Sequence, residues 1–544
     1  MTSKNKNSIS LSNSLKNTLN SVFCTYPDNN TLMMRADLLA HAIALSEKLP
    51  AKSYAINLCQ DRYLFIVAFL AVCLRQKISL LPANQTAKTL ADLTVNYPDS
   101  YILSDDPLNA DCYMAYDLLE KSNEPCPLID TDRPLSISFT SGSTGKPKAI
   151  IKTWREFQTS AELALERFEL QNQEITLLST VPMQHMYGLE TSFFWVLFSQ
   201  MTLHNSRPFY PEDIRKTLAD LPAEKILVST PRHLKICSQT QDHWRAIKFI
   251  LSSTAPMDSR QAQQIEKKLQ TPLYELLGST ETLSFASRQA SKSNKWQPYA
   301  TIQLTQEKDH FVVQGGHIIK PLRLDDTFKI HDKDSFSLLG RSADLIKIAG
   351  KRASLHELNQ QLTSISGIED GVFFFAKNER LSALVVSKLA KKTIIKHLRQ
   401  AIDAVFLPRV IYSVFTLPRN NMGKLLKTEL EQLIQTQQML ATKQHYRIPA
   451  AHPCFAGHFP NNPIVPGVVL LNYVQQQLLA AFPNHRISTL TQAKFLHPLL
   501  PEQDFSVSLT QSSTHNIKFT CMRDTETLVT GTFIIATKEE KSHD

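Results

Sequence analysis

The sequence predicts an α/β domain with a mostly parallel sheet over residues 1–340 and a small α+β unit over 341–435. A linker helix ends over 436–444, and a further α+β unit covers 445–538. Three observations carry this reading. The chain has 544 residues, whereas single hydrophobic cores stop growing near roughly 250–300 residues, so several folding units are needed. From Leu32 to Ile330 short apolar runs alternate with longer helical patterns, as strands feeding crossover helices do. That alternation gives way to other patterns past Ser335 and again past His445.

Taken in order, the start (Met1 to Asn13, rich in Ser, Asn and Lys) and the end (Lys538 to Asp544) read as loose tails. The longest apolar run, Tyr63 to Leu74, lies between Arg62 and Arg75. A bilayer takes about 20 apolar residues, so this run reads as a buried helix. Ser136–Phe139, Lys225–Ser229 and Ile247–Leu251 read as core strands. Ser335 to Gln361 has the pattern strand, turn, strand, helix. The helix is expected to begin near Ser354, with Glu357 three residues on as in a capping box. A charged, Gln-rich helix, Lys427 to Gln444, leads into a proline-rich loop, an apolar helix (Val468 to Ala481) and strand-like runs at Phe505–Leu509 and Leu528–Ile535.

Composition narrows the class. Hydrophobic residues make up 42% and charged residues 20%, which is ordinary for a globular chain. The eight cysteines are scattered, with no Cys-x-x-Cys pair, which argues against a zinc site and a disulfide framework. With no apolar core in the first residues to suggest a signal peptide, a reducing cytoplasm is the expected compartment. The net charge of +9 is spread along the chain and no nucleic-acid module appears. The charge is read instead as attraction for anionic small molecules and acidic partner proteins.

Glycine is scarce, at 14 residues, and nine of them (Gly142, Gly145, Gly188, Gly278, Gly340, Gly350, Gly423, Gly457, Gly467) fall in the segments that carry motifs. The first runs Ser138-Phe139-Thr140-Ser141-Gly142-Ser143-Thr144-Gly145-Lys146-Pro147-Lys148. Its glycines and hydroxyls can turn backbone N–H groups toward phosphate oxygens, and lysine adds charge. It is not a Walker A loop, because Gly142 and Gly145 are too close and no Ser or Thr follows Lys146.

At these residues the chain resembles the acyl-adenylate-forming superfamily of acyl-CoA synthetases, luciferases and peptide-synthetase adenylation domains. The resemblance recurs in order over residues 15–435. Pro182 to Gly188 is similar to the family's substrate-side segment, with His185 as a candidate catalytic residue. Ser252 to Met257, including Ala255, resembles the loop lining the adenine pocket. Gly278-Ser279-Thr280-Glu281 resembles the motif in which Thr contacts the α-phosphate and Glu holds magnesium. Asp326 and Arg341 are similar to the Asp that binds the ribose hydroxyls and the Arg beside the hinge. Lys347 to Glu357 resembles the start of the mobile subdomain, and Pro418 to Lys424 the loop carrying the catalytic lysine, Lys424.

The resemblance implies ATP and Mg²⁺ as cofactors, a carboxylic acid (aryl or fatty) as substrate, and the phosphopantetheine thiol of CoA or an acyl carrier protein as acceptor. Thr140, Ser141, Gly142, Ser143, Thr144, Gly145 and Lys148 are the expected phosphate cradle, and Glu281 with Thr140 the expected metal ligands. The chemistry suits these residue types. A carboxylate and a phosphate are both anions, so catalysis is mainly positioning and charge neutralisation. Two positions depart from the family: Leu277 stands where Tyr is usual, and Ala343 where the hinge usually has Asp or Lys.

A second specific segment is Phe455-Ala456-Gly457-His458-Phe459-Pro460-Asn461-Asn462-Pro463-Ile464-Val465-Pro466-Gly467-Val468. It resembles the active-site loop of hot-dog-fold 3-hydroxyacyl-carrier-protein dehydratases over residues 445–538. With His452-Pro453-Cys454-Phe455 it is similar to the dehydratase-like proteins of aryl polyene pigment pathways. The resemblance implies a homodimer, with His458 as the catalytic histidine. Asn472 occupies the position of the family's carboxylate, and an amide is not a useful acid at neutral pH. The module is therefore read either as a dehydratase with another acid, as a thioester hydrolase or holder, or as an inactive dimerisation domain.

Overall fold

The computed structural model describes residues 8–538 apart from residues 16, 28–30, 83, 108–109, 116–118, 142–146, 309, 342–344, 349–350, 377–380, 421–422, 424 and 457–462. The chain divides into two compact units, residues 1–357 with 421–424, and residues 358–420 with 425–544.

The larger unit is built on two sheets whose parallel strands are the short apolar runs of the sequence. In the first, Ile78–Leu81, Tyr54–Asn57, Ser100–Ser104 and Cys112–Tyr113 run parallel to Pro134–Ser141. The strand Pro147–Thr153 returns antiparallel at the edge. In the second, an eleven-stranded sheet, the parallel centre is Val22–Thr25, Thr202–His204, Thr176–Ser179, Lys225–Ser229, Phe249–Ser252 and Leu273–Ser279. Antiparallel strands flank it: Leu32–Met34 at one edge, and Leu283–Arg288, Lys295–Pro298, Ser335–Arg341 and Asp326–Asp332 toward the other. A small antiparallel sheet, Gln303–Glu307, His310–Gly315 and Ile318–Leu324, lies in the same unit. Central parallel strands such as Lys225–Ser229 and Phe249–Ser252 carry uninterrupted apolar triplets and are buried at every position, as parallel strands covered on both faces are.

The run at Tyr63 is a helix, Arg62–Leu74, buried at every position. It packs into an aromatic core where Phe69 meets Phe193 and Phe194 edge-on, and Phe157 stacks on Phe194 at 4.2 Å. One expectation fails. The N-terminal segment is not loose throughout: Ser8–Ser10 pairs with Leu128–Asp130, and Leu11 is fully buried. The polar composition of residues 1–13 concealed a lone core leucine. The helix expected near Ser354 is Leu355–Thr363, following the hairpin Leu345–Ile348 with Lys351–Ser354. No helix among the described residues is long and apolar enough to cross a membrane.

The smaller unit holds a three-stranded sheet (Ile368–Phe375, Leu381–Ser387, Ile411–Ser413) and a five-stranded antiparallel sheet. In the second sheet the order is Gln444–Arg447, Asp504–Gln511, Asn516–Arg523, Glu526–Thr537, His485–Phe495. The helix Gly467–Ala481 buries Leu470, Val474 and Leu478 in a cluster with Phe505, Phe519 and Phe533. This arrangement is compatible with a hot-dog domain. The Gln-rich helix is shorter than its pattern suggested, Lys427–Leu440, and Gln444–Arg447 is already strand. That helix serves both sheets. Leu430, Leu433 and Ile434 pack on the three-stranded sheet, while Leu440 joins the cluster of the five-stranded one and Thr436 Oγ1 donates to Ala481 O at 3.0 Å.

Candidate active site

In the larger unit the segments singled out in the sequence follow the carboxyl ends of parallel strands. Thr176–Ser179 precedes Pro182–Gly188, Phe249–Ser252 precedes Ala255, Leu273–Ser279 runs into Thr280 and Glu281, and Pro134–Ser141 enters the Ser/Gly loop. Open α/β sheets bind ligands at that edge, because loops after strands gather there while crossover helices return the chain to the other edge.

The Ser/Gly loop joins two paired strands, with Ser141 opposite Pro147 and Thr140 opposite Lys148. Gly142, Ser143, Thr144 and Gly145 lie outside the described residues, as do the side chains of Thr140 and Ser141. Lys148 is described, and its Nζ lies 3.5 Å from Glu281 Oε1, across 133 residues of sequence.

The turn that carries Thr280 and Glu281 is tight and self-bonded. Ser279 N–H donates to Thr282 Oγ1 at 2.9 Å, and Thr282 N–H donates to Ser279 Oγ at 3.2 Å. A Cβ on Gly278 would sit 2.1 Å from Leu283 O, so only glycine fits there. Leu283 itself holds φ at 57°, which costs a branched side chain strain. Two carbonyls leave the turn, and buried donors collect both. Lys152 Nζ donates to Glu281 O at 2.5 Å, and His317 Nε2 donates to Thr282 O at 2.7 Å. Burial pushes His317 down from the ordinary 6.5 to about 4, only partly opposed by its bond to Thr282. Its Nδ1 is buried with no hydrogen-bond partner among the described residues.

The loop with Ala255 is tied to the same strand. Ser253 Oγ donates to Leu276 O at 3.1 Å, and Met257 N–H donates to Glu275 Oε1 at 2.7 Å. Thr254, a β-branched residue, is held at φ 84°. Asp326 and Arg341 face each other as a cross-strand pair, although the side chain of Arg341 lies outside the described residues. His185 is a capping residue, its Nδ1 accepting from Tyr187 N–H at 3.3 Å at the start of a short helix. That helix runs into a π-turn, Glu190–Phe194. There the buried Glu190 accepts from Ser160 Oγ at 2.8 Å and from Ser284 N–H and Oγ at 3.1 and 2.5 Å. Burial holds its carboxyl above the usual range.

Lys424 lies outside the described residues, while the residues on either side of 421–424 are pinned within the smaller unit. Arg419 bridges to Leu425, and its guanidinium donates to both oxygens of Asp370 at 2.6 and 2.8 Å. Gly423 holds φ at 81°. His458 also lies outside the described residues. Asn472 lines an open cleft of about 390 Å³ with His452, Val468, Val469, Tyr473 and Gln476, and none of these carries a carboxylate. His452 Nδ1 accepts from Cys454 N–H at 3.2 Å.

Glu281 fits the implied magnesium ion. Glu281 offers a partly exposed carboxylate beside a cation, and no cluster of three or more His, Cys, Asp or Glu stands among the described residues. Magnesium suits such a site, since it takes one or two carboxylates and fills its shell with water and phosphate oxygens. Lys152, His317 and Glu190 belong to none of the motifs legible in the sequence, whereas His452 stands in the quoted His452-Pro453-Cys454-Phe455 segment without a role of its own. Of these, Glu190 had a signal, a lone carboxylate inside the apolar run Met186 to Leu197.

A family model described as AMP-binding enzyme matches residues 34–312, and one described as ApeI dehydratase matches residues 434–532. The 3,4-dihydroxybenzoate–[aryl-carrier protein] ligase of Bacillus anthracis is 21% identical over 323 residues, 55% of this chain and 74% of that protein. The 2-succinylbenzoate–CoA ligase of Geobacillus is 26% identical over 350 residues, 55% and 69% of the two chains. Among solved structures, the o-succinylbenzoate CoA synthetase of Bacillus subtilis with its acyl-adenylate intermediate superposes with a TM-score of 0.68. It is 18% identical, and the match covers 78% of this chain and 98% of that one.

Proposed function

This chain belongs to the AMP-binding enzyme family, and on that premise we propose that it activates an aryl or fatty carboxylic acid with ATP and loads it onto an acyl carrier protein. The observation that supports this best is the meeting of Lys148 and Glu281 beside the Ser/Gly loop. A carboxylate oxygen of the acid attacks the α-phosphorus and the bond to pyrophosphate breaks. The thiol of phosphopantetheine then attacks the acyl carbonyl, loses its proton, and AMP leaves.

In this reading Lys424 bridges the carboxylate and phosphate oxygens. Thr140 to Gly145 and Lys148 cradle the phosphates, Ala255 borders the adenine, Gly278 and Thr280 face the α-phosphate, and Asp326 binds the ribose. Glu281 and Thr140 hold Mg²⁺, which when bound supplies charge neutralisation. Residues 341–435 form the mobile subdomain, with Arg341 at its hinge, and its rotation withdraws Lys424 before the thiol enters. Residues 445–538 form a hot-dog module that acts on the same carrier and pairs two chains.

Three features support a carrier protein over free CoA. A relative acts on an aryl-carrier protein, the dehydratase-like segment shares the chain, and the +9 charge suits an acidic partner. A second reading keeps the ligase but makes the hot-dog module a thioester holder or dimerisation unit. It is favoured by Asn472 in a cleft lined with no carboxylate among the described residues, since losing general acid catalysis typically costs about 10²–10⁴-fold.

ATP–pyrophosphate exchange across aryl and fatty acids, with Lys424→Ala as control, tests the ligase. Exchange with one acid class, lost in the variant, is expected, and no exchange with any acid would overturn the reading. Mass spectrometry of holo-carrier and CoA after reaction tests the acceptor, and acylation of CoA alone would overturn the carrier.

A further inference from the structure

We infer that Lys152 is the positioning residue that sets where the Glu281 carboxylate stands, and so how tightly the site takes Mg²⁺ with a nucleotide. The inference rests on the adenylation reading only for the identity of the ligand. Pro147–Thr153 carries two lysines four residues apart, and alternate strand residues share a face. Both reach residue 281. Lys148 meets its carboxylate, while Lys152 meets its backbone carbonyl.

The two lysines differ in freedom. The Lys148 side chain is 65% exposed, that of Lys152 only 6%. Lys152 is held from behind by Glu156, whose Oε1 accepts from Nζ at 2.8 Å and whose Oε2 accepts from Thr153 N–H at 2.8 Å, capping the helix Trp154–Arg167. The anchor is therefore braced by the start of a fourteen-residue helix. It pulls on the peptide of the proposed ligand itself, one bond from the Cα that carries the carboxylate. Without Lys152 the Glu281 carbonyl would lose its buried donor and take a partner elsewhere, swinging the side chain with it. His317 would still hold the next carbonyl, so the turn would shift rather than unfold.

The test compares wild type, Lys152→Met and Lys152→Arg in the full chain. Thermal melting first establishes that each is folded. Binding of ATP without acid is then titrated calorimetrically against Mg²⁺, which reads metal affinity independently of turnover. The half-saturating Mg²⁺ concentration is expected to rise about 10–100-fold in Lys152→Met, the range seen when groups orienting a metal ligand are removed. Lys152→Arg should recover most of it by donating to the same carbonyl. Folded Lys152→Met with unchanged Mg²⁺ dependence would overturn the inference, as would a loss that Lys152→Arg does not relieve. Wild type that binds Mg·ATP but exchanges no pyrophosphate with any acid would sink the function reading and leave this one standing.

Discussion

His317 makes the larger unit acid-sensitive in a window that can be worked out. Its Nε2 donates to Thr282 O and its buried Nδ1 has no partner among the described residues, so a second proton would place an N–H against nothing that accepts it. Burial lowers the imidazole from the ordinary 6.5 to about 4, with nearby Lys152 adding to the effect and Glu156 opposing it. On acidification the unfolded chain therefore takes the proton first. The stabilisation is present above about pH 6.5, is lost as pH falls toward about 4, and levels off below that. At 1.36 kcal/mol per pH unit the loss is about 3 kcal/mol.

The comparison is His317→Gln, whose amide can keep donating to Thr282 O without titrating. The four tryptophans (Trp154, Trp195, Trp244, Trp296) all lie in the larger unit. Urea unfolding followed by tryptophan fluorescence therefore reports that unit alone, as a two-unit protein requires. Between pH 7 and 4 wild type should lose about 3 kcal/mol more than the variant, because carboxylates common to both cancel. Equal pH slopes in the two proteins would show that His317 does not carry the acid sensitivity.

Three further outcomes follow from the geometry. Gly278→Ala drives a Cβ to 2.1 Å from Leu283 O. Pyrophosphate exchange should fall about 10²-fold, the effect of a 1 Å misplacement, with secondary structure retained by circular dichroism. Arg419→Gln removes the paired bonds to Asp370. Exchange should slow while stability, read by denaturation, changes by about 1 kcal/mol, because the pair is partly exposed. Phe519→Ala empties a buried site stacked on Phe533 at 5.2 Å. It should cost the five-stranded sheet about 3–5 kcal/mol, seen as faster hydrogen exchange over residues 485–537.

Features that neighbouring residues decide together are legible in the amino-acid order. Runs of Val, Ile and Leu flanked by polar residues become strands at Lys225–Ser229 and Phe249–Ser252 because burial on both faces of a parallel sheet needs no alternation. The Gly278 motif is legible because its tight turn is made within six residues, and the all-apolar run at Tyr63 because a helix that is hydrophobic all round has only the interior to occupy. Tertiary structure decided the rest. Lys152 belongs to no motif, yet it is buried because its partners are Glu281 O, 129 residues on, and Glu156, four residues on. His317 has no motif at all, and its partner is 35 residues back. Leu11 is core because Ser8–Ser10 pairs with a strand more than a hundred residues away. A buried polar group must find its partner wherever the strand order brings one, and strand order follows from crossovers between distant segments rather than from local pattern.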